Sequence, residues 1–154
     1  MTELDPDVLI AVCRRRPQAL AELVARFQAP LYAFLSFLCG PEAAPGLFVE
    51  TWRAVFRRAG NYAGRAQAAR WIFSIARERA AGKARPAAPA AGETLGDAIE
   101  ALAPDCREIY LLRECGQLHY AEIAESLRIP LESALERMGA ALDALRPRLE
   151  DSVG

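Results

Sequence analysis

The stretch Leu118–Leu145 reads LHYAEIAESLRIPLESALERMGAALDAL, and its punctuation decides the fold. Tyr120–Leu127 is a short helical run. Arg128, Ile129 and Pro130 then form a tight turn, because proline cannot continue the preceding helix. A second run starts at Leu131 and extends to about Leu149, with a bend expected near Pro147. Two helices joined by so short a turn make a helix-turn-helix unit. His119, the sole histidine, stands at the start of the first of them, where capping or simple exposure suits it.

Upstream, Pro104 opens a helix that ends near Cys115, with Gly116 as its cap, and Leu95–Leu102 forms a shorter one. Before these, residues 85–96 read RPAAPAAGETLG and lose all periodicity, which marks a linker. Four helices are predicted ahead of it. They are Asp5 to about Arg15; Pro17 to about Leu38, kinked near Pro30; Glu42 or Pro45 to Arg58; and Gln67 to Lys83 after a turn at Ala59–Gly64. The expected fold is therefore all-α. An N-terminal helical bundle (1–85) is joined through a linker (86–96) to a C-terminal helix-turn-helix domain (97–150).

Composition supports this and excludes other classes. Hydrophobic residues make up 53% of the 154-residue chain, enough for a buried core. Alanine and leucine dominate, and β-branched residues are sparse, which favours helix over strand. No apolar run reaches the roughly 18 residues of a membrane span, and the acidic start at Met1–Asp7 argues against a signal peptide, so a cytoplasmic protein is expected. Cys13, Cys39, Cys106 and Cys115 form no CxxC pair, and Cys106, Cys115 and His119 match no common zinc spacing. No Ser-His-Asp set, paired carboxylate site or glycine-rich phosphate loop stands out. The reading is of a protein that is not an enzyme and needs no metal or cofactor.

The net charge of −1 hides an asymmetry. Residues 14–85 hold 13 basic groups against 4 acidic ones, a net of +9, whereas residues 104–154 hold 6 against 10, a net of −4. The basic half suits nucleic acid or an acidic surface. Opposite charges on the two halves also predict a closed form that salt loosens. Arg65, Arg70, Arg77, Arg79, Lys83 and Arg85 cluster in the loop and fourth helix, interleaved with Tyr62, Trp71 and Phe73. Cations neutralise phosphates and aromatic faces stack on unpaired bases. Trp71 lies on the Ile72–Ile75–Ala76 side and reads as core, while Tyr62, in its loop, is the better base contact.

The order of elements resembles bacterial RNA polymerase sigma factors of the extracytoplasmic-function type. ALAELVARFQAPLYAF, LFVETWRAVFRR and ARWIFSIARERAAGKAR resemble the region 2 domain, and LAPDCREIYLLRECGQLHYAEIAESLRIP with the following helix resembles region 4. The resemblance implies a transcription initiation factor whose partners are core RNA polymerase, promoter DNA and an anti-sigma protein. It implies that the third helix meets polymerase through Leu47, Glu50, Arg53 and Arg57. It also implies that Tyr62, Arg65, Arg70, Arg77, Arg79, Lys83 and Arg85 hold melted promoter DNA, and that Ser133 and Arg137 touch the upstream element. The alternative is a sigma-like interaction protein that binds an anti-sigma protein or polymerase without reading promoters.

Several residues depart from the family pattern. Pro45 and Gly46 stand where an acidic pair usually precedes Leu47, Val49 replaces a glutamine, and Glu78 and Gly82 replace asparagine and aspartate. In the last helix Arg137 is alone among Glu132, Glu136 and Asp143, while Leu135, Gly139 and Ala140 take positions where polar or basic residues are usual. Counterion release from one cation contributes little to DNA affinity. Arg128 stands where glycine is common, so a left-handed backbone there is strained.

Overall fold

A computed structural model describes residues 4–64, 67–89 and 92–153. Arg65, one of the expected DNA contacts, lies outside the described residues. The described chain is helical: α1 (Pro6–Val12), α2 (Pro17–Cys39), α3 (Ala44–Arg58), a 3-10 turn (Ala59–Asn61), α4 (Ala68–Ala80), α5 (Leu95–Ala101), α6 (Pro104–Glu114), α7 (Tyr120–Leu127) and α8 (Leu131–Val153).

Local chemistry sets the ends. Asp5 caps α1, accepting from the Asp7 N–H at 2.7 Å, and Pro6 follows at the first helical position. Thr94 and Asp97 form a reciprocal capping box at α5. The Glu122 carboxylate accepts from the His119 N–H at 2.9 Å, so His119 does open α7. The fourth helix stops at Ala80, short of the expected Lys83, and Arg85 therefore leaves the helical face that Arg70 and Arg77 share. At Pro30 α2 passes through as one helix, as the resumed apolar pattern implied, with Leu23 buried before the proline and Leu31, Phe34 and Leu35 buried after it. One missing N–H bond is outweighed by an apolar face anchored on both sides of it. Likewise α8 runs through Pro147.

The long α2 organises the packing. It lies against α1, α3 and α4, and also against α5 and α6. Leu9, Ile10, Leu23, Leu31, Phe34, Val55, Ile72 and Ile75 fill the N-terminal core, and Phe34 meets the edge of Phe73 at a centroid distance of 5.3 Å. In the C-terminal part, Ile109, Leu112, Ile123, Ala134, Ala141 and Leu145 are buried where α8 crosses α5, α6 and α7. The two cores are continuous.

The stretch between α4 and α5 is laid against the helices. The Arg85 N–H donates to the Leu38 carbonyl at 2.9 Å and the Ala88 N–H to the Glu100 carbonyl at 2.8 Å. Gly40 ends α2 at φ 100°, a backbone that favours glycine, and a Cβ there would stand 2.5 Å from Cδ of the Arg85 side chain.

Arg128 ends α7 in the left-handed region, at φ 57° and ψ 46°. Its N–H reaches back to the Glu125 carbonyl and the Ile129 N–H to the Ala124 carbonyl, a closing turn that glycine adopts without Cβ strain. Arg128→Gly is expected to stabilise the chain by about 0.5–1 kcal/mol. Urea unfolding measures this, and an unchanged or lower midpoint would count against strain at the turn.

Candidate nucleic-acid interface

The 3-10 turn and the start of α4 form an open cleft of about 360 Å³ lined by Asn61, Tyr62, Gln67, Arg70, Trp71 and Ser74. Tyr62 is half-buried. Its ring lies 4.9 Å from that of Trp71, tilted by 52°, and its hydroxyl donates to Asp7 Oδ1. Burial, and then the hydrogen bond to the Asp7 carboxylate, push the Tyr62 phenol well above its ordinary range. Tyr62 is thus a held aromatic face rather than a free loop side chain. Trp71 is part-buried against the core, on the side expected of it.

The cations of this region diverge in their surroundings. Arg70 Nη2 lies 2.6 Å from Glu125 Oε2 of α7. Arg77 donates through Nε to Glu108 Oε2 at 3.2 Å and through Nη1 to the Ser126 carbonyl at 2.9 Å. Arg79 is half-buried, and its Nε has no hydrogen-bond partner among the described residues. Lys83 and Arg85 are exposed beyond the end of α4. The structure therefore brings Arg70 and Arg77 together on one face, with Tyr62 beside Arg70, and points both arginines at the C-terminal helices.

On α3, Glu50, Arg53 and Arg57 are exposed, whereas Leu47 is 2% exposed and packs in the core, with its carbonyl accepting from Thr51 Oγ1 at 2.7 Å. Leu47 therefore offers no surface to a partner. An apolar groove of about 530 Å³ runs between α2 and α3, lined by Leu20, Val24, Phe48, Val49, Trp52 and Phe56 and edged by Arg53 and Arg57. Val49 and Phe56 are exposed within it, and the Arg14 guanidinium lies over the Phe56 ring at 5.6 Å. Periodicity assigned the stripe of α3 to the core and so missed this groove. The visible signal was an apolar residue, Val49, outside the stripe.

On α8, Ala134, Met138, Ala141 and Leu145 face inward. At about 100° per residue, Glu132, Glu136 and Asp143 fall on the opposite, outermost face, and all three are exposed. Ser133 and Arg137 are half-buried along one edge, and the exposed Leu131, Leu135 and Leu142 run along the other. The face that stands furthest out is acidic, and the lone cation of the early turns lies to its side.

Among the described residues no group of three His, Cys, Asp or Glu is placed to hold a metal ion. Cys13 and Cys39 are buried, and burial followed by the neighbouring Glu114 carboxylate raises the Cys115 thiol to about 11. No helix among the described residues is long and apolar enough to cross a membrane.

Residues 92–145 match the family model described as sigma-70, region 4. No curated protein sequence matches the chain. Over nearly its whole length the fold is similar to that of CnrH, solved in complex with the cytosolic domain of CnrY, with a TM-score of 0.73 and 22% identity across 96% of this chain and 99% of that one. The helix-turn-helix read from the sequence is the α7–α8 pair, most of which lies within the matched residues. The all-α fold with a C-terminal helix-turn-helix expected from the sequence is borne out among the described residues.

The tie between Tyr62 and Asp7 has a measurable consequence. Asp7→Asn is expected to lower the Tyr62 pKa towards the ordinary value, since removing the carboxylate leaves burial as the main remaining cause. Tyrosine ring NMR across a pH titration, assigned with Tyr62→Phe, reads the shift. An unmoved Tyr62 would show that the carboxylate plays no part.

Proposed function

We propose that this chain is an extracytoplasmic-function-type sigma factor, which binds core RNA polymerase and promoter DNA and directs transcription initiation in the cytoplasm. The observation that carries the reading is a region 4 domain joined, in one sigma-like fold, to a second domain bearing a cation-rich aromatic cleft. In this reading, residues 1–85 take polymerase and the melted strand, and residues 97–150 take the upstream element, with 86–96 between them. The apolar groove of α2 and α3 receives a polymerase element, with Arg53 and Arg57 on its edge and Glu50 on the open face of α3. Tyr62 and Trp71 offer π surface to an unstacked base, while Arg70, Arg77, Arg79, Lys83 and Arg85 supply phosphate contacts, and Arg65 adds to them. Ser133 and Arg137 make a weak upstream contact. No step in this function breaks or forms a covalent bond at the chain itself, so no catalytic residue or cofactor is required. The partner that restrains it is an anti-sigma segment, by analogy with the cytosolic domain of CnrY held by CnrH.

A second reading draws on one observation. The outermost face of α8 is acidic and one edge of it is leucine-rich, a poor surface for phosphates. It favours a sigma-like protein that engages polymerase or an anti-sigma protein without reading promoters.

Reconstitution with core polymerase separates the two. Transcripts with a defined start from promoters near its own gene are expected. Polymerase binding without transcripts supports the second reading, and absence of polymerase binding defeats both. Val49→Glu with Phe56→Glu is expected to weaken polymerase binding by tenfold or more, about 1.4 kcal/mol, and undiminished binding would remove the groove from the interface. Arg137→Ala should change the salt slope of promoter binding by less than about one unit.

A further inference from the structure

The open side of α8 carries a row of residues that reads nearly the same from either end. Glu132, Leu135, Gly139, Leu142 and Arg146 follow one another at spacings of three, four, three and four. Such steps stay on one side of a helix. All five residues are exposed, Leu135 at 47% and Leu142 at 40%. Glycine stands at the middle of the row, a leucine on each side of it, and a charge at each end, acidic at one and basic at the other. Ala134, Met138, Ala141 and Leu145 hold α8 on its own domain from a different side, so the row is left over from folding.

We propose that α8 pairs with α8 of a second copy of this chain, antiparallel, about a two-fold axis at Gly139. A two-fold interface requires a patch that complements itself, and this row does. Turned end for end about Gly139, it sets Leu135 against Leu142 of the partner subunit and Glu132 against Arg146 of the partner subunit. A parallel pair would oppose Glu132 to Glu132 and Arg146 to Arg146, so charge selects the antiparallel sense. Arg146 contacts Asp143 of its own helix at 3.6 Å, with side chains 66% and 79% exposed, a loose hold that a partner carboxylate can replace. Glycine in mid-helix weakens the helix, and a Cβ built at Gly139 meets nothing within 4 Å, so no contact inside the chain calls for it. A helix crossing does, because backbones close there to the short end of the usual separation of about 8–10 Å. Leu131, 48% exposed, widens the apolar contact. The contact spans about four turns, at the small end of specific interfaces, so the dimer is reversible, with a dissociation constant on the order of 10 μM. The inference stands apart from both readings above, since it needs neither polymerase nor DNA. It gives Leu135 and Gly139, out of place for reading DNA, a use on the same helix.

Sedimentation equilibrium of the full chain tests the pairing. Monomer is expected at about 1 μM and dimer at about 100 μM, and a chain that stays monomeric throughout overturns the proposal. Gly139→Leu is the deciding variant. It adds apolar surface at a position whose Cβ has open space, so unspecific association would tighten, whereas a crossing at Gly139 is wedged apart. Association is expected to weaken by about tenfold or more, with the thermal midpoint unchanged or raised. Equal or tighter association rules the crossing out. Glu132→Arg should weaken the dimer about fivefold, and adding Arg146→Glu should restore it. Failure of the double swap to restore association defeats the antiparallel dyad. Leu135→Glu with Leu142→Glu should leave a monomer at about 100 μM, and a dimer that survives it puts the interface elsewhere, against the proposal. Circular dichroism checks that each variant keeps its helix content. Gly139→Leu, which favours the helix, keeps the test decisive should the two glutamates disturb the fold.

Discussion

A single buried guanidinium sets the relation between the two halves of the molecule. Arg107 projects from α6 into a pocket of carbonyl oxygens supplied by the last turn of α2 and by Arg85. A cation there satisfies acceptors that a helix end leaves without intrahelical partners. No basic residue of α2's own last turn supplies that charge. Because α2 is also the helix against which α1, α3 and α4 pack, whatever fixes its end fixes the register of the N-terminal core against region 4. The ion pairs of Arg70 and Arg77 lie further along the same interface and depend on that register.

The interface is built from groups that also suit other partners. Arginines that match a phosphate match a carboxylate equally well, since both present planar or near-planar pairs of oxygens. In this chain the acidic half already supplies carboxylates to Arg70 and Arg77 of the basic half. On α8 the helix-turn-helix shape coexists with an acidic outward face of Glu132, Glu136 and Asp143. Fold and reading capacity are separable, because the first depends on the inward stripe of Ala134, Met138, Ala141 and Leu145 and the second on residues pointing away from it.

Much of this was legible from residue order. The stripes of α3 and α4, the turn at Arg128 and the helix start at His119 follow from periodicity and local steric preference, and these are short-range effects. The left-handed backbone at Arg128 was suggested only by the family pattern, in which glycine is common there. Helix continuity through Pro30 was legible too, since the apolar pattern resumes at Leu31 in register with Leu23, and both are buried. Arg107 escaped notice altogether: in sequence it is one charged residue of α6 among several, and its partners lie 22 to 70 positions away. The charge asymmetry predicted attraction between the halves but not which side chains would meet. Tyr62 stands beside the polar turn where its position in the sequence puts it, yet its hydroxyl partner, Asp7, comes from a helix with no local relation to it.

Gly40 carries a consequence for how this chain can change over generations. Its missing Cβ makes room for the Arg85 side chain, and the Arg85 carbonyl in turn receives Arg107. A side chain at position 40 would need the left-handed backbone and would push the exposed Arg85 side chain aside. The Arg85 carbonyl is a backbone group, open to Arg107 whatever side chain stands at 85. Of the three positions, 40 and 107 are thus bound to their residue type, and 85 is free to vary.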